Sequence, residues 1–211
     1  LTRPRFLAIS EFGPRAIIYH SGMRYRIVKA VLPARDDEGG ELVTGQAKIC
    51  ENCGYFHPVT GAHGADRCEH CNEELVRVWT SLFRMQNVVT QRQQKINCDE
   101  EERLRSGFEI RTGVRFSAIE GSTSSNSARA IRGADDYARL QYGPAATITR
   151  MNLGLRRRAN PSQLGWVLDI DQGFWAKNQQ DGEDDNPPPN APRTRRVLPY
   201  VEDRKNCLLF E

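Results

Sequence analysis

Four of the six cysteines in this 211-residue chain form two closely spaced pairs. Two residues separate Cys50 from Cys53, two separate Cys68 from Cys71, and 14 residues lie between the inner cysteines. A two-residue spacing lets a tight turn direct both sulfurs at one point about 2.3 Å away, and two such turns facing each other complete a tetrahedron around zinc. The spacing therefore predicts a structural zinc site with four thiolate ligands.

Two disulfides, or free buried cysteines, are the alternatives for these four residues. Disulfide frameworks are typical of shorter secreted chains with denser cysteines, so the spacing favours metal ligation. Histidines within the same stretch could each replace a sulfur, but four closely spaced thiols already close a site, and we expect the imidazoles to lie in the loop or beside the ligands. These histidines are His57, His63 and His70.

Composition and motifs bound the class of protein. The net charge is +3, and the isoelectric point of about 8.6 is below the value of about 9 that marks a dedicated nucleic-acid module. The chain contains no phosphate-binding GxxxxGK[ST], no HExxH and no GxSxG. It also lacks an apolar run of about 18 residues and a signal-peptide core. We therefore expect a cytoplasmic protein without membrane contact and without catalytic apparatus of its own, and the start at Leu1 suggests an excised piece.

Period-two alternation of apolar residues dominates the pattern and predicts a mainly β fold, with barrel-like or sandwich-like sheets, a zinc-stapled arm and one or two short helices. Residues 1–49 are expected to form a lead-in and hairpin, residues 50–71 a zinc knot inserted between strands, and residues 72–211 a β-rich body. The body is expected to contain a short helix near 99–106. Mobile loops are expected at 120–128 and 181–192.

Individual strands and aromatic residues follow from the same pattern. A turn at Ser21-Gly22 is expected to join strands 16–20 and 23–33. In the second strand, Tyr25, Ile27 and Val31 are expected on one face. Further strands are expected at 108–116, 137–142, 146–155, 165–170, 193–201 and 206–210. Tyr25, Tyr142 and Trp166 are expected in the core. Stacking on unpaired bases is the alternative for Trp166, and for Trp175 the pattern favours neither role.

Several of these segments resemble one family. The segments are SEFGPRAIIYHSGMRYRIVKAVLP, the paired cysteines, CDEEERLRSGFEIRTGVRF and LPYVEDRKNCLLFE. They resemble the region after the motor domains of large superfamily 2 DEAD/DEAH-type helicases, which ends in a four-cysteine zinc module called the MZB or domain-of-unknown-function region. Within this group they are most similar to the helicase subunit of the DISARM phage-defence system, and more distantly to mitomycin-repair helicases.

The resemblance implies an accessory part of an ATP-dependent DNA translocase whose motor is not in this chain. DNA, and a partner subunit of a defence or repair complex, would then be the partners. By the same resemblance Cys50, Cys53, Cys68 and Cys71 occupy the family's zinc positions, and no catalytic residue is carried over.

Clustered arginines are the candidates for DNA contact, because guanidinium groups match phosphate oxygens and strands can direct them to one face. The alternatives are a solvated face or pairing with the acidic residues of 181–185. A protein-interaction module with purely structural zinc is the competing function. The candidate arginines are Arg111, Arg115, Arg150, Arg156, Arg157, Arg158, Arg193, Arg195 and Arg196.

Overall fold

The computed structural model describes residues 1–33, 41–61, 64–93, 107–119, 122–176 and 192–210. The predicted helix at 99–106 lies outside these ranges, as does the predicted loop at 181–192 except for Pro192. His63 also lies outside them.

The fold is mainly β, as the sequence predicts: of the residues that the structure describes, 57% are in strands and 4% are in a single helix. Helix α1 spans Arg5–Glu11. The strands are β1 Ile17–His20, β2 Met23–Ala30, β3 Gly45–Ile49, β4 Phe56–Pro58, β5 Val78–Arg84, β6 Val88–Gln93, β7 Phe108–Arg115, β8 Ala118–Ile119, β9 Ser122–Thr123, β10 Asn126–Arg132, β11 Asp135–Leu155, β12 Trp166–Asp169 and β13 Thr194–Phe210.

The strands form three sheets. A three-stranded sheet has the order β1-β2-β6, and β8 pairs with β9 in a two-stranded sheet. An eight-stranded sheet has the order β10-β11-β13-β5-β3-β4, with β12 paired to β13 and β7 paired to β11. The cysteine-containing segment therefore follows β3, includes β4 on one side of β3, and precedes β5 on its other side.

The chain divides into two compact units, each assembled from three segments. Unit 1 contains Leu1–Gly45, Thr80–Arg111 and Met151–Val201, and unit 2 contains Gln46–Trp79, Thr112–Arg150 and Glu202–Glu211. The segments expected from the sequence, 1–49, 50–71 and 72–211, are instead each continuous in the chain. All four paired cysteines belong to unit 2.

The predicted hairpin of unit 1 is confirmed, but its core face is not as expected. Ser21 and Gly22 have φ values of 49° and 72°, as the two central residues of a tight hairpin turn require. Ile27 and Ala30 are both fully buried because the register with β6 shifts between Ile27 and Lys29. This bulge exchanges the faces of the strand, so Val31, expected on the face of Ile27, is 44% exposed.

Two pairs of predicted strands are single long strands. The segments expected at 137–142 and 146–155 lie in the 21-residue strand β11, which passes Pro144 and continues through Ala145 at φ 92°. The segments expected at 193–201 and 206–210 lie in the 17-residue strand β13. In both cases the connecting residues, 143–145 and 202–205, are strand residues, because pairing with neighbouring strands satisfies the backbone whatever the side chains are.

The expected loop at 120–128 is wrong in part. Ser122–Thr123 forms strand β9, and β10 begins at Asn126. Every residue of β10 is exposed. Apolar alternation cannot detect a strand with two solvent-exposed faces, so the sequence pattern gives no indication of it.

The core position predicted for Trp166, in unit 1, is confirmed, whereas that of Tyr25 is confirmed only in part. Trp166 is 2% exposed and packs edge-on against Phe108, with ring centroids 5.7 Å apart. Trp175 is also buried, whereas Tyr25 is only half-buried. The prediction fails in unit 2 at Tyr142, which is 42% exposed.

A buried amide links the elements of the unit 1 core. The Asn152 side-chain oxygen accepts the backbone N–H of Gly154 and the indole N–H of Trp166, both at 3.0 Å. Its amide nitrogen donates to the carbonyl of Ile9 in α1 at 3.3 Å. Asn152 is fully buried, so water cannot replace these partners.

We expect Asn152→Ala to destabilise the protein by about 2–4 kcal/mol, because two buried donors and one carbonyl lose their partners at roughly 1–3 kcal/mol for each unsatisfied group. Chemical denaturation measures the change. Asn126→Ala, at an exposed position of β10, is the matched control and should change the unfolding free energy by less than about 0.5 kcal/mol. Equal effects of the two variants would contradict the role of Asn152.

Candidate metal centre

The first cysteine turn, residues 50–55, connects β3 to β4. These strands pair antiparallel, with Ile49 opposite Phe56. The Gly54 N–H donates to the Cys50 carbonyl at 3.0 Å, and the Cys50 N–H donates to the Tyr55 carbonyl at 3.0 Å. Gly54 has φ 74°, a conformation in which a side chain is strained.

The second cysteine turn, residues 68–73, repeats the first at an offset of 18 residues. The Asn72 N–H donates to the Cys68 carbonyl at 2.9 Å, and the Cys68 N–H donates to the Glu73 carbonyl at 2.8 Å. Asn72 takes the place of the glycine with φ 61°, which asparagine tolerates better than most residues. The sequence shows this local repeat as CENCG and CEHCN, a similarity that the sequence analysis missed.

The two turns bring all four sulfur atoms together. Every pair of Sγ atoms lies within 4.8 Å. Cys50 Sγ is 3.5 Å from Cys71 Sγ, and Cys53 Sγ is 3.6 Å from Cys68 Sγ. A tetrahedron with metal–sulfur bonds of about 2.3 Å has edges of about 3.8 Å. The spacing of the sulfurs is therefore compatible with one metal ion bound at their centre.

The same distances argue against the disulfide alternative. A disulfide bond requires a sulfur–sulfur distance of about 2.05 Å, and all four cysteines are free thiols in the structure. The sulfurs of the two turns instead approach each other to 3.5 and 3.6 Å, distances at which no covalent bond joins them.

Burial and hydrogen bonds act in opposite directions on the thiols. Burial raises the pKa of Cys53 and of Cys68. At Cys71, burial also raises the pKa, but hydrogen bonds from the Glu73 backbone and the Asn52 side chain outweigh it and lower the pKa to about 7. A bound cation would favour the thiolate form throughout, since metal ligation deprotonates cysteine.

His57 and His70 lie beside the sulfur cluster. Among the described residues, the four thiols are the only group of at least three potential ligands that converge on one point. His57 is 2% exposed, and its Nε2 lies 3.4 Å from Cys68 Sγ; burial lowers the pKa of His57, so the neutral ring can donate Nε2–H to the sulfur. His70 donates its backbone N–H to the same sulfur at 3.4 Å.

Tyr55 connects the first turn to strand β7. Its hydroxyl oxygen accepts the backbone N–H of Phe116 at 3.1 Å, and its ring stacks on His70 with centroids 5.4 Å apart. The guanidinium of Arg115 lies 5.8 Å from the Tyr55 ring centroid and pairs with Glu69 at 2.9 Å. These contacts hold both cysteine turns against the end of β7.

A small apolar core packs around the cysteines. Tyr55, Leu75, Val114, Phe116 and Ala146 are buried there together with Cys50 and Cys68. The loop between the cysteine pairs has little apolar bulk, as the sequence indicates, and β7 and β11 supply much of what it lacks. Lys48 closes one side, with only 6% exposure and a hydrogen bond of 2.8 Å from Nζ to the Ala65 carbonyl.

Several predicted DNA-contacting arginines make internal contacts. In unit 1, Arg158 pairs with Glu109 at 2.7 Å, and Arg193 donates Nε–H to Asp171 at 3.0 Å. The backbone carbonyls of Phe108, Leu42 and Gly165 accept hydrogen bonds from three further arginines of this unit. These are Arg156, Arg195 and Arg196, at 3.1, 3.3 and 3.4 Å respectively.

The remaining four candidates differ in their surroundings. Arg115, in unit 2, contacts Glu69 and Tyr55 beside the cysteine turns. Arg111 and Arg150 are half-buried and have interaction partners. Arg157 is exposed and makes no hydrogen bond or ion pair within the described part of the chain. Eight of the nine candidates therefore have an interaction partner in the described part of the chain, and Arg157 has none there.

Comparison of the chain with protein-family models, curated proteins and solved structures gives no match. Within the described ranges, no helix has the length and apolar character needed to cross a lipid bilayer.

We expect Tyr55→Phe to destabilise unit 2 by about 1–3 kcal/mol, because the buried N–H of Phe116 loses its acceptor. Hydrogen exchange at the Phe116 amide in the native protein reports the free energy of opening and measures the effect. Tyr137→Phe removes a hydroxyl from a residue that is 75% exposed and should leave stability unchanged. Unaltered protection of the Phe116 amide in Tyr55→Phe would contradict the assigned contact.

Proposed function

We propose that the two cysteine turns bind one zinc ion through four thiolates, and that the chain is a zinc-braced accessory module of a superfamily 2 DNA helicase. The observation that carries the metal proposal is the approach of all four sulfurs to within 4.8 Å of one another. The helicase assignment is supported by the segments that resemble this family.

Zinc is the metal that fits this donor set best. Thiolates are soft ligands that select Zn, Cu(I) or Fe–S clusters over Mg and Ca, and a tetrahedral arrangement of four sulfurs is typical of structural zinc. Four protein ligands leave no open coordination position for water or substrate, so the proposed role of the ion is to brace the fold.

Bound zinc should be measurable at one ion per chain. Cys68→Ser removes a ligand that is 3% exposed and should reduce zinc content and abolish the cooperative unfolding of unit 2, since structural zinc contributes roughly 10–16 kcal/mol in small peptides. Cys207→Ser is the matched control, because this half-buried thiol lies outside the sulfur cluster. Equal zinc loss in the two variants, or no zinc in reduced protein, would contradict the proposal.

DNA contact is the second element of the proposal. It is supported by the helicase resemblance and by arginines that remain accessible, of which Arg157 has no internal partner among the described residues. Arg156 and Arg158 are less suitable for a test, because their guanidinium groups hold backbone carbonyls and Glu109.

Salt-titrated binding to single- and double-stranded DNA tests this element. Arg157→Ala should weaken binding to duplex DNA and reduce the slope of log affinity against log salt by about 0.9, the value for one phosphate contact. If the chain retains zinc but binds neither form of DNA, the proposal that it contacts DNA is contradicted.

A protein-interaction module with structural zinc is the competing function. Ion pairs that occupy Arg115, Arg158 and Arg193 favour it, because paired guanidinium groups have fewer donors available for phosphate. The DNA titration separates the two functions, since an interaction module would bind neither single strands nor duplex at physiological salt.

A further inference from the structure

A hairpin in unit 2 is exposed along one whole strand. We call it the arginine hairpin: β10, Asn126–Arg132, and residues 135–142 of β11, joined by a turn at Gly133. All seven residues of β10 are exposed, and among the described residues β10 pairs only with β11. β10 is thus an edge strand of the eight-stranded sheet, and burial of apolar surface contributes little to it.

Its register places two positive charges directly opposite each other. Arg129 is the cross-strand partner of Arg139, and both side chains are exposed. Like charges at directly opposed positions destabilise a strand pair, since their Cβ atoms are about 5 Å apart. Arg139 has no hydrogen bond or ion pair within the described residues. An anion bound between the two guanidinium groups would offset the repulsion.

One carboxylate already approaches this pair. Asp136 accepts a hydrogen bond from Arg129 at 3.2 Å, and the two side chains are 58% and 65% exposed. An ion pair this exposed contributes only about 0–1 kcal/mol. It can therefore be exchanged for a phosphate at little cost, which leaves both arginines available.

A β-bulge places an aromatic ring beside the arginines. Ala130 is opposite Ala138, whereas Ile131 is opposite Asp136, so Tyr137 is an extra, unpaired residue on β11. Bulges of this kind redirect a side chain. The Tyr137 side chain is 75% exposed, although a tyrosine usually buries its ring when a core is available.

These side chains share one cleft. It has a volume of about 630 Å³, and Ser127, Arg129, Asp136, Tyr137 and Arg139 line it. The volume lies within the range of small-ligand sites, roughly 300–1,000 Å³. A cleft that combines paired guanidinium groups with an exposed aromatic ring has the two elements of single-strand recognition, which are cationic contacts to phosphates and a surface on which a base stacks.

We propose that the arginine hairpin binds single-stranded nucleic acid. Arg129 and Arg139 contact consecutive phosphates, and the Tyr137 ring stacks on an unpaired base. Duplex DNA fits less well, because its bases already stack on each other and leave no face for Tyr137. The inference rests on the proposed function in that it names the residues through which this module would hold DNA, none of which was among the nine arginines predicted from the sequence.

The test uses the full chain, zinc-loaded, with a fluorescent 12-nucleotide oligothymidine and a duplex of equal length, measured by anisotropy at several salt concentrations. Tyr137→Ala should weaken binding to the single strand about tenfold and leave duplex binding unchanged, because only an unpaired base can stack. Tyr137→Phe keeps the ring and should bind as the unaltered chain does. Arg129→Ala and Arg139→Ala should each reduce the single-strand salt slope by about 0.7.

Arg204→Ala is the control, because Arg204 is an exposed arginine of the same unit outside the cleft. All replaced side chains are exposed, so the variants should keep their zinc, and metal analysis verifies this. Single-strand binding that none of the three alanine variants at Tyr137, Arg129 and Arg139 changes would overturn the hairpin site while leaving the proposed function in place. If the zinc-loaded chain binds neither strand form, the hairpin site and DNA contact both fail, and zinc bracing stands.

Discussion

Convergence of four sulfur atoms on one point is the constraint on which the structure of unit 2 depends. Each cysteine turn places two thiols side by side, and its geometry requires a residue with positive φ, Gly54 in one turn and Asn72 in the other. Four thiolates around a divalent cation carry a net charge of −2. N–H donors such as the His70 backbone, together with the cations of Lys48 and Arg115 in the same unit, are suited to stabilise that charge.

Contacts from outside the cysteine loop also hold the two turns in place. Tyr55 connects the first turn to Phe116, and Arg115 connects the end of β7 to Glu69 within the second turn. The site is thus braced from its own loop and from a distant strand. A fold that relied on the loop alone would have too little apolar surface to offset its conformational entropy.

The sequence predicts those features of this fold that depend on local spacing or alternation. Cysteine spacing predicts the convergence of the four thiols, Ser21-Gly22 predicts a hairpin turn, and alternation predicts Trp166 as a core residue. Features that depend on pairing between distant segments cannot be predicted from local spacing or alternation. The bulge that exposes Val31, the continuity of β11 through Pro144 and the two-faced exposure of β10 depend on neighbouring strands, about which local sequence carries little information.

The arginines illustrate the same limit for function. Arginines are clustered in the sequence at residues 156–158 and 193–196, but most of these guanidinium groups donate hydrogen bonds to carbonyls or carboxylates of the chain. Arg129 and Arg139 are ten residues apart and become neighbours only through the register of β10 and β11. Charge in a β protein therefore has to be evaluated on the face of a paired strand, and the number of arginines in a sequence window is a poor guide to an exposed cationic site.

X-ray absorption at the zinc edge of the purified, reduced chain is the most direct test of the metal site. The account predicts a first shell of four sulfur atoms at about 2.3 Å with no nitrogen or oxygen ligand. A first shell that contains nitrogen would place a histidine among the ligands, and a chain that binds no metal would remove the constraint from which the description of unit 2 follows.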